Sequence, residues 1–477
     1  MDRFATPKGL PRDALELGSL LASKARPGRM VGLELEVGVL DAETLAPVTH
    51  EGPRGIGAFL ARLQRTRWPE PTHEGEALIG LCGPGSERIT IEPGGQVELS
   101  TRPTADLASM LANGVDRVRL MSSVARELGL VILGGGLLPA AQQAVHWMPK
   151  GRYRIMRDYF AGLGEAGHLG HVMMQRTLSL QVSLDYTSPD DAKELLQLAF
   201  RAAPLATAIW AASPYTWAEG EGAASAGWQS YRAEAWRFTD PHRQGLVASQ
   251  LSGPSLAGYA EHALAAPMMF RIERGEGHER YLPMKGASFA HQLARGHWED
   301  GSPLAEQDVW DHLGSIFTDA RIKPSLLELR STDGPVPGAI KPCGKGPLED
   351  KLLVSMGEVP AFWVGLCYDA TARAAALESL RSISDAELQR AHAEVPRRGL
   401  ATPWGSRSVV DAARELVEIA RGGLRRRAEQ EIERPWVADL LDGVRCRLER
   451  GRSPSHDLVE AYEREGRAAV VEALALK

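Results

Sequence analysis

The chain has 477 residues, 44% of them hydrophobic, and a formal net charge of −6. The acidic balance argues against non-specific nucleic-acid binding, and no stretch approaches the roughly 20 consecutive apolar residues that a bilayer-spanning helix needs. Four scattered cysteines without a C-x-x-C pair indicate free thiols and no structural zinc, as expected for a cytoplasmic protein. We also expect a monomer or homodimer without nucleic-acid or membrane partners.

Alternation of apolar and polar residues predicts two strands in the first hundred residues, at 30–40 and 87–100. A Pro-Gly-Gly bend at 93–95 interrupts the second strand. Helices are expected at 12–25, 55–66 and 104–129, with short strands near 77–82 and 131–133.

The pattern continues with a strand over 177–186 and a helix over 189–211 that begins at a Ser-Pro signal. Residues 215–256 predict a long functional loop, 325–331 another alternating strand, and the proline-rich 334–348 an irregular insert. From 359 onward the pattern is helical, with helices expected at 360–377, 384–394, 407–427, 431–450 and 454–474.

Several of these strands are polar on one face and apolar on the other. Helices can then pack behind the apolar face while the polar face lines a wet cavity. We therefore predict an α+β fold in a single large catalytic domain over 1–477. Its strand-rich core would span 28–335 and its mainly helical part 359–477.

Acidic side chains occupy the polar faces. Glu34 and Glu36 are two residues apart on one strand, so they project to the same side roughly 7 Å apart. Glu92, Gln96 and Glu98 flank the Pro-Gly-Gly bend, where glycines let the backbone approach a ligand. Converging carboxylates favour divalent metal and phosphate ligands, although each pattern alone also fits a solvated strand or an ordinary turn.

A second polar pair, Glu328 and Arg330, shares one face of the strand at 325–331. A carboxylate for metal beside a guanidinium for phosphate suits phosphoryl transfer, but a simple ion pair gives the same pattern. Gln181, in the middle of its strand, fits either a ligand contact or a hydrogen-bond network.

A basic element precedes a predicted helix and comprises Lys150, Arg152 and Arg154. It can hold ATP phosphates or a substrate carboxylate, or it is a solvated helix start. His168 and His171 have a metal-like spacing but lie among glycines, so we expect no metal there.

Taken together, the segments resemble the plant and proteobacterial type of glutamate–cysteine ligase, in the glutamine-synthetase-like superfamily. The resemblance covers about residues 30–430, and its motifs follow the family's order. They are GLELE at 32–36, ITIEPGGQVELS at 89–100, MPKGRYRIM at 148–156, MMQRTLSLQVSLDY at 173–186, SYRAEAWRFTDPHRQG at 230–245, LLELRSTDG at 326–334, VPAFWVGLCYD at 359–369 and GLATP at 399–403.

The resemblance implies a funnel of about six mostly antiparallel strands with helices outside. Two or three Mg²⁺ ions, with Mn²⁺ as an alternative, would be held by Glu34, Glu36, Glu92, Glu98, Gln181 and Glu328. Arg330 would stabilise the transferring phosphoryl group, with Lys150 and Arg152 as further catalytic residues. The implied ATP contacts are Gln96, Lys150 and Arg330, and the implied substrate contacts are Arg154, Arg232, Trp236 and Arg243.

The implied reaction activates the side-chain carboxylate of glutamate with ATP and joins it to the amine of cysteine, the first step of glutathione biosynthesis. Ser183 stands in place of a usual Asn, and Leu178 stands where plant members often carry a cysteine. These departures leave the amine acceptor open, so the alternative is the same glutamyl activation with another amine. A nucleotide-binding regulatory protein without catalysis is a third hypothesis.

Overall fold

The structure is a computed structural model that describes residues 9–217, 227–275, 278–341 and 346–477. The strands of this part of the chain are β1 (Val31–Asp41), β2 (Glu70–Glu74), β3 (Ala77–Cys82), β4 (Arg88–Ile91), β5 (Val97–Ser100), β6 (Leu130–Leu133), β7 (Leu180–Asp185), β8 (Gln244–Gly245), β9 (Pro267–Gly275), β10 (His278–Ser288), β11 (Phe317–Thr318), β12 (Ala320–Lys323), β13 (Leu326–Leu329), β14 (Pro403–Trp404) and β15 (Arg407–Ser408).

The α-helices of the same residues lie before, between and after these strands. They are α1 (Ala14–Ser23), α2 (Ile56–Gln64), α3 (Leu107–Glu127), α4 (Gly151–Gly162), α5 (Gly170–Arg176), α6 (Pro189–Ile209), α7 (Tyr231–Arg237), α8 (Ser249–Ser252), α9 (Leu256–Ala265), α10 (Phe289–Arg295), α11 (Glu306–Gly314), α12 (Lys351–Cys367), α13 (Ala370–Leu380), α14 (Asp385–Arg398), α15 (Val409–Glu429), α16 (Asp442–Glu449) and α17 (Pro454–Leu474). None of them combines the length and apolarity that a bilayer crossing requires.

A large antiparallel sheet organises the molecule. Within the described residues it contains nine strands in the order β12-β13-β7-β1-β5-β4-β3-β2, with β6 pairing the far end of β1. The predicted α+β fold is confirmed, but the sheet is larger than the expected six strands. The exposed, uniformly polar strand β2 (EPTHE) lacks the alternation that reveals a strand in a sequence.

The apolar face of the sheet is buried under helices. Leu33, Leu35 and Val37 of β1 are at most 2% exposed and belong to one cluster of buried side chains with Val182 and Leu329. Helices α3, α6 and α12 pack behind this face. The other face, which carries the acidic residues, is thereby left to line a cavity.

Local signals explain most helix starts. The Ser188 side chain accepts a hydrogen bond from the Asp191 N–H and Pro189 opens α6, as the Ser-Pro signal predicted. The expected helix at 360–377 is instead two helices, because the Asp350 carboxylate caps α12 and the Asp369 carboxylate caps α13. Pro360 lies inside α12 and does not end it.

Two predicted irregular segments are only partly described. In the long loop at 215–256, residues 218–226 lie outside the described residues, and the remainder contains α7, α8 and β8. In the insert at 334–348, residues 342–345 lie outside them. The single catalytic domain over 1–477 stays a prediction.

Helices α12 and α15 cross at two glycines. A Cβ built on Gly365 would lie 2.3 Å from the Ala420 carbonyl oxygen, and one on Gly423 would lie 2.1 Å from the Gly365 carbonyl oxygen. Real side chains do not tolerate such distances, so the crossing requires glycine at both positions. The neighbouring Gly422 is more open, since its nearest contact is the flexible Arg426 side chain at 3.4 Å.

Gly423→Ala should therefore destabilise the protein, whereas Gly422→Ala should not. Overpacking at a backbone contact costs about 1–3 kcal/mol or more, while alanine at an open helical position gains up to about 1 kcal/mol. Urea unfolding of the two variants measures the difference. Equal stabilities would show that the helices can separate freely at this crossing.

Candidate active site

The polar face of the sheet forms the floor of a large solvent-open cavity. Antiparallel register aligns its side chains in rows. One row joins Thr90, Glu98 and Glu36 across β4, β5 and β1, and the next pairs Glu34 with Ser100 and Gln181. Since paired residues of a sheet project to the same side, segments far apart in sequence bring their carboxylates together.

Four carboxylates, those of Glu34, Glu36, Glu92 and Glu98, line this cavity as predicted from the sequence. The Ser179 hydroxyl donates a hydrogen bond of 2.7 Å to Glu36 Oε2, and Gln181 Nε2 lies 3.4 Å from Glu36 Oε1. Thr90 Oγ1 lies 3.3 Å from Glu98 Oε1. Glu36 and Glu98 therefore have neutral hydrogen-bond partners, whereas Glu34 Oε1 lies 3.8 Å from Lys323 Nζ.

Burial and the crowding of like charges perturb two of these acids. Burial, and then the charge of Glu92, raise the pKa of Glu36 to about 7. Burial and the charges of Glu34, Glu92 and Glu36 hold the pKa of Glu98 well above its usual range. A bound divalent cation would reverse this repulsion.

Glu328, the sixth predicted metal ligand, has a different environment. Its fully buried carboxylate receives two hydrogen bonds from Arg321 Nη2, of 2.8 and 2.9 Å, and forms further ion pairs with Lys323 and Arg330. Although burial alone would raise its pKa, these three cations hold it well below its usual range. Glu328 is thus already neutralised and does not join the free carboxylates.

The sequence predicted one cation of the β12–β13 region, Arg330, but not its two neighbours. Arg330 Nη1 donates a hydrogen bond of 2.6 Å to Gln181 Oε1, which links the predicted arginine to the acidic rows. Arg321 and Lys323 also line the cavity and were missed, because the four-residue strand β12 received no prediction. The R-x-K alternation at 321–323 was the available signal.

Close backbone contacts and the hydrogen bonds of Gln96 hold the Pro-Gly-Gly bend in place. A Cβ on Gly94 would lie 2.0 Å from the Gln175 carbonyl oxygen, and Gly95 has φ +87°, so both positions favour glycine. Gln96 Oε1 accepts a hydrogen bond of 2.9 Å from the Gly94 N–H, and its Nε2 donates to the carbonyl oxygens of Met174 and Thr177. Gln96 lines the cavity, but the main chain already binds its amide group, so the predicted ATP contact by Gln96 stays a prediction.

The basic element before α4 divides into inward and outward side chains. Lys150 Nζ donates a hydrogen bond of 2.9 Å to the Ile91 carbonyl oxygen, and burial together with the charge of Arg152 lowers the pKa of Lys150 to about 8. Arg152 lines the cavity and lies over the Tyr153 ring. Arg154 is exposed and does not line the cavity, because the helix turns it outward.

Three further predicted substrate residues lie near or behind the cavity wall. Trp236 lines the cavity beside Arg330. Arg232 is buried at its inner end and donates a hydrogen bond of 2.7 Å to the Arg330 carbonyl oxygen. Arg243 is fully buried, pairs with Asp240 at 2.6 Å and donates to the Ser315 and Pro267 carbonyl oxygens, so its position is structural rather than substrate-facing.

The carboxylate oxygens of this cavity suit a metal ion chemically, but their present positions do not form a metal site. Among the described residues, no three acidic, histidine or cysteine side chains lie close enough together to hold a metal ion as they stand. Carboxylate oxygens are nevertheless the donors that Mg²⁺ prefers, and the pKa values of Glu36 and Glu98 are raised by burial and then by like-charge repulsion, which such an ion would offset. The free carboxylates therefore suit a hard divalent cation.

Comparison with known proteins places the chain in a family. The model of the glutamate–cysteine ligase family 2 matches residues 30–473. The chain belongs to this family. The chloroplastic glutamate–cysteine ligase B of Oryza sativa subsp. japonica is 32% identical over 460 residues. The alignment covers 94% of this chain and 84% of the relative.

Other relatives extend this family match. The chloroplastic glutamate–cysteine ligase of Arabidopsis thaliana is 31% identical over 455 residues, covering 94% of this chain and 80% of the relative. The crystal structure of the Francisella tularensis glutamate–cysteine ligase in complex with AMP has a TM-score of 0.55 and 13% identity, covering 94% and 88% of the two chains. The family resemblance stated from the motifs is confirmed, and the bacterial structure shares the fold.

The expected cytoplasmic location is contradicted by the same comparison. The plant relatives from rice, Brassica juncea and Arabidopsis thaliana are named as chloroplastic enzymes. Scattered cysteines report on the redox state of a compartment rather than on its identity, which is why composition misled the prediction.

The buried, like-charged surroundings of Glu36 should lower the stability of the metal-free protein at high pH. Glu36→Gln should stabilise the metal-free protein at pH 8 and change little at pH 4. The pKa of Glu36 is raised from 4.5 to about 7, so the folded state keeps a proton that the unfolded state releases, and this carboxylate lowers stability as the pH rises through that interval. We expect a gain of about 1–3 kcal/mol above pH 7, measured by urea unfolding in EDTA.

Glu43→Gln is the matched control, because Glu43 is an exposed acid just beyond the same strand. It should show no pH-dependent gain. Adding Mg²⁺ should reduce the advantage of the E36Q variant, since the ion would stabilise only the wild-type carboxylate. A wild-type protein at least as stable as E36Q at pH 8 in EDTA would contradict the raised pKa of Glu36.

Proposed function

We propose that the protein is an ATP-dependent ligase that joins the side-chain carboxylate of glutamate to the amine of cysteine, forming γ-glutamylcysteine. The observation that carries this proposal is that one cavity brings a cluster of acids together with cationic side chains. Glu34, Glu36 and Glu98 line it together with Arg330 and Lys323, and Lys323 Nζ lies 3.8 Å from Glu34 Oε1. Such a site suits phosphate, metal and a developing negative charge together.

In the first step, a glutamate γ-carboxylate oxygen attacks the γ-phosphorus of ATP. The new oxygen–phosphorus bond forms as the bond to the bridging oxygen of ADP breaks, giving γ-glutamyl phosphate. Arg330, buried and held by Gln181, would stabilise the charge on the transferring group. Arg152 at the cavity wall would hold nucleotide phosphates. The support for ATP is the family and the AMP complex of the bacterial ligase.

Mg²⁺, when bound, would neutralise phosphate oxygens, and Glu34, Glu36, Glu92 and Glu98 are the residues proposed to hold it. Glu328 and Gln181 already bind Arg330. We therefore propose that they orient its guanidinium group. Mn²⁺ would be accepted by the same oxygen donors.

In the second step, the amine nitrogen attacks the acyl carbon and phosphate leaves, so the amide bond forms as the carbon–oxygen bond to phosphate breaks and the nitrogen releases a proton. The acyl phosphate must be kept from water. The β9–β10 hairpin contributes Met269, Phe270 and Ile272 to the cavity lining, which supplies an apolar wall over the reacting groups. The proposed substrates are small molecules, and the monomeric or homodimeric state stays a prediction.

Cysteine-dependent release of ADP from ATP and glutamate tests this function. The wild-type protein should release ADP when cysteine is supplied, and Glu36→Gln should lower turnover at least about 100-fold, as removal of a main electrostatic contact does. Mass spectrometry of a reaction with mixed amino acids should identify γ-glutamylcysteine. Another γ-glutamyl amide in its place would favour the alternative of a different amine acceptor.

A matched pair tests the nucleotide side. Arg152→Ala should raise the KM for ATP by about 10–100-fold, the value of one charge-assisted hydrogen bond, because this side chain lines the cavity. Arg154→Ala, two residues further on and exposed, should stay within about twofold of the wild type. Similar effects of both substitutions would contradict the assignment. Steady-state kinetics with varied ATP provides the measurement.

A further inference from the structure

Lys323 is the most exposed of the three cations that surround Glu328. It is the last residue of β12 and follows Arg321 by two positions, so both side chains project to the cavity side of the sheet. The Lys323 side chain is 32% exposed, whereas those of Arg321 and Arg330 are 9% exposed. Ions that enter the cavity can therefore reach Lys323 more easily than either arginine.

The Lys323 ammonium group joins two acids from different strands. Its Nζ lies 3.8 Å from Glu34 Oε1 and forms a closer ion pair with Glu328 Oε2. In the part of the chain that the structure describes, no other cation lies within 4 Å of the Glu34 carboxylate. Burial and neighbouring acids raise the pKa of Glu98, and the charge of Lys323 acts against that shift. Lys323 thus offsets part of the negative charge around β1 and β5.

The two arginines have further partners that hold them in place. Arg321 Nη1 donates hydrogen bonds of 2.7 and 3.3 Å to two main-chain carbonyl oxygens, and Arg330 Nη1 donates one of 2.6 Å to Gln181. The ammonium group of Lys323 contacts only carboxylates within the described residues, and it ends a flexible stem. If Lys323 moves away, both arginines still neutralise Glu328, so the movement leaves no buried charge unpaired.

We propose that Lys323 is an exchangeable counter-ion of the metal site: its ammonium group and a divalent cation compete for the Glu34 carboxylate. Lys323 thereby sets how tightly the site binds metal. The ammonium group must leave Glu34 for the open cavity when a divalent cation binds there, because like charges repel at that distance. This rests on the proposed function, in which Glu34 is one of the acids that hold Mg²⁺.

The exchange has two opposite consequences. Metal binding includes the loss of the ion pair between Lys323 and Glu34, so removing the charge of Lys323 should strengthen metal binding. The same change should destabilise the metal-free protein, because the acids lose a partner that offsets their repulsion. A lysine with a purely structural role would lower the stability without raising the affinity for metal.

Lys323→Met tests the exchange, because it keeps the length of the side chain and removes its charge. Calorimetric titration with MgCl₂ alone should show an affinity for Mg²⁺ about tenfold or more above that of the wild type. Urea unfolding in EDTA should show a lower midpoint than for the wild type. Unchanged or weaker Mg²⁺ binding, or a metal-free variant as stable as the wild type, would overturn the proposal.

Two matched variants separate the exchange from a general change of charge. Arg88 also lines the cavity, is exposed, and forms no ion pair among the described residues. Arg88→Met should therefore change the Mg²⁺ affinity by less than about threefold. Lys323→Arg keeps the charge and should likewise stay within about threefold of the wild type. Equal gains in Arg88→Met and Lys323→Met would overturn the assignment to the contact with Glu34.

A double-mutant cycle identifies the carboxylate for which the two cations compete. In a Glu34→Gln background, Lys323→Met should change the Mg²⁺ affinity by less than about threefold, since the shared carboxylate is gone. A gain of about tenfold that persists in this background would overturn the role of Glu34.

Metal binding and turnover distinguish this proposal from the proposed function. Tighter Mg²⁺ binding by Lys323→Met, without cysteine-dependent ADP release by the wild type, would contradict the proposed function and support the exchange. ADP release by the wild type, with unchanged Mg²⁺ binding by Lys323→Met, would contradict the exchange alone. Absence of Mg²⁺ binding in every variant would overturn the exchange and the metal assignment together.

Discussion

Mutual repulsion among carboxylates on one face of a sheet is the constraint on which the site depends. Glu36 and Glu98 are directly paired across β1 and β5, an arrangement that ordinarily destabilises a sheet. It persists because the opposite face of the same strands is fully buried. A slip of one residue in β1 would turn Leu35 into the cavity and Glu36 into the core, so burial of the leucines dictates where the acids stand.

The second constraint is the separation of the two signs of charge. Glu328 could have joined the acidic rows, since its strand belongs to the same sheet. Three cations neutralise it instead, and one of them, Arg330, reaches back to Gln181. The polar face therefore carries an acid-rich region around β1 and β5 beside a cation-rich region around β12 and β13, and Lys323 joins the two because it lies 3.8 Å from Glu34. Anionic and cationic ligands can meet where the two regions adjoin.

Much of this arrangement was predictable, because alternation reveals a strand that is buried on one side. It located β1, β7 and β13 and assigned Glu34, Gln181 and Glu328 to the polar face. It could not show whether a polar group is free or occupied. Gln96 and Arg243 have the right chemistry and neighbourhood, yet the main chain and Asp240 already bind them. Such partners come from residues distant in sequence, and no local pattern encodes them.

The β9–β10 hairpin has a consequence for how the cavity can change shape. Its strands pair with each other in a sheet of their own, yet its side chains form part of the wall above the floor. A swing of the whole ribbon would leave every rung of the nine-stranded ladder intact. Wall and floor are thus joined through side-chain packing on α4 rather than through strand pairing, so the enclosure can be tightened or relaxed without breaking the register that places the acids.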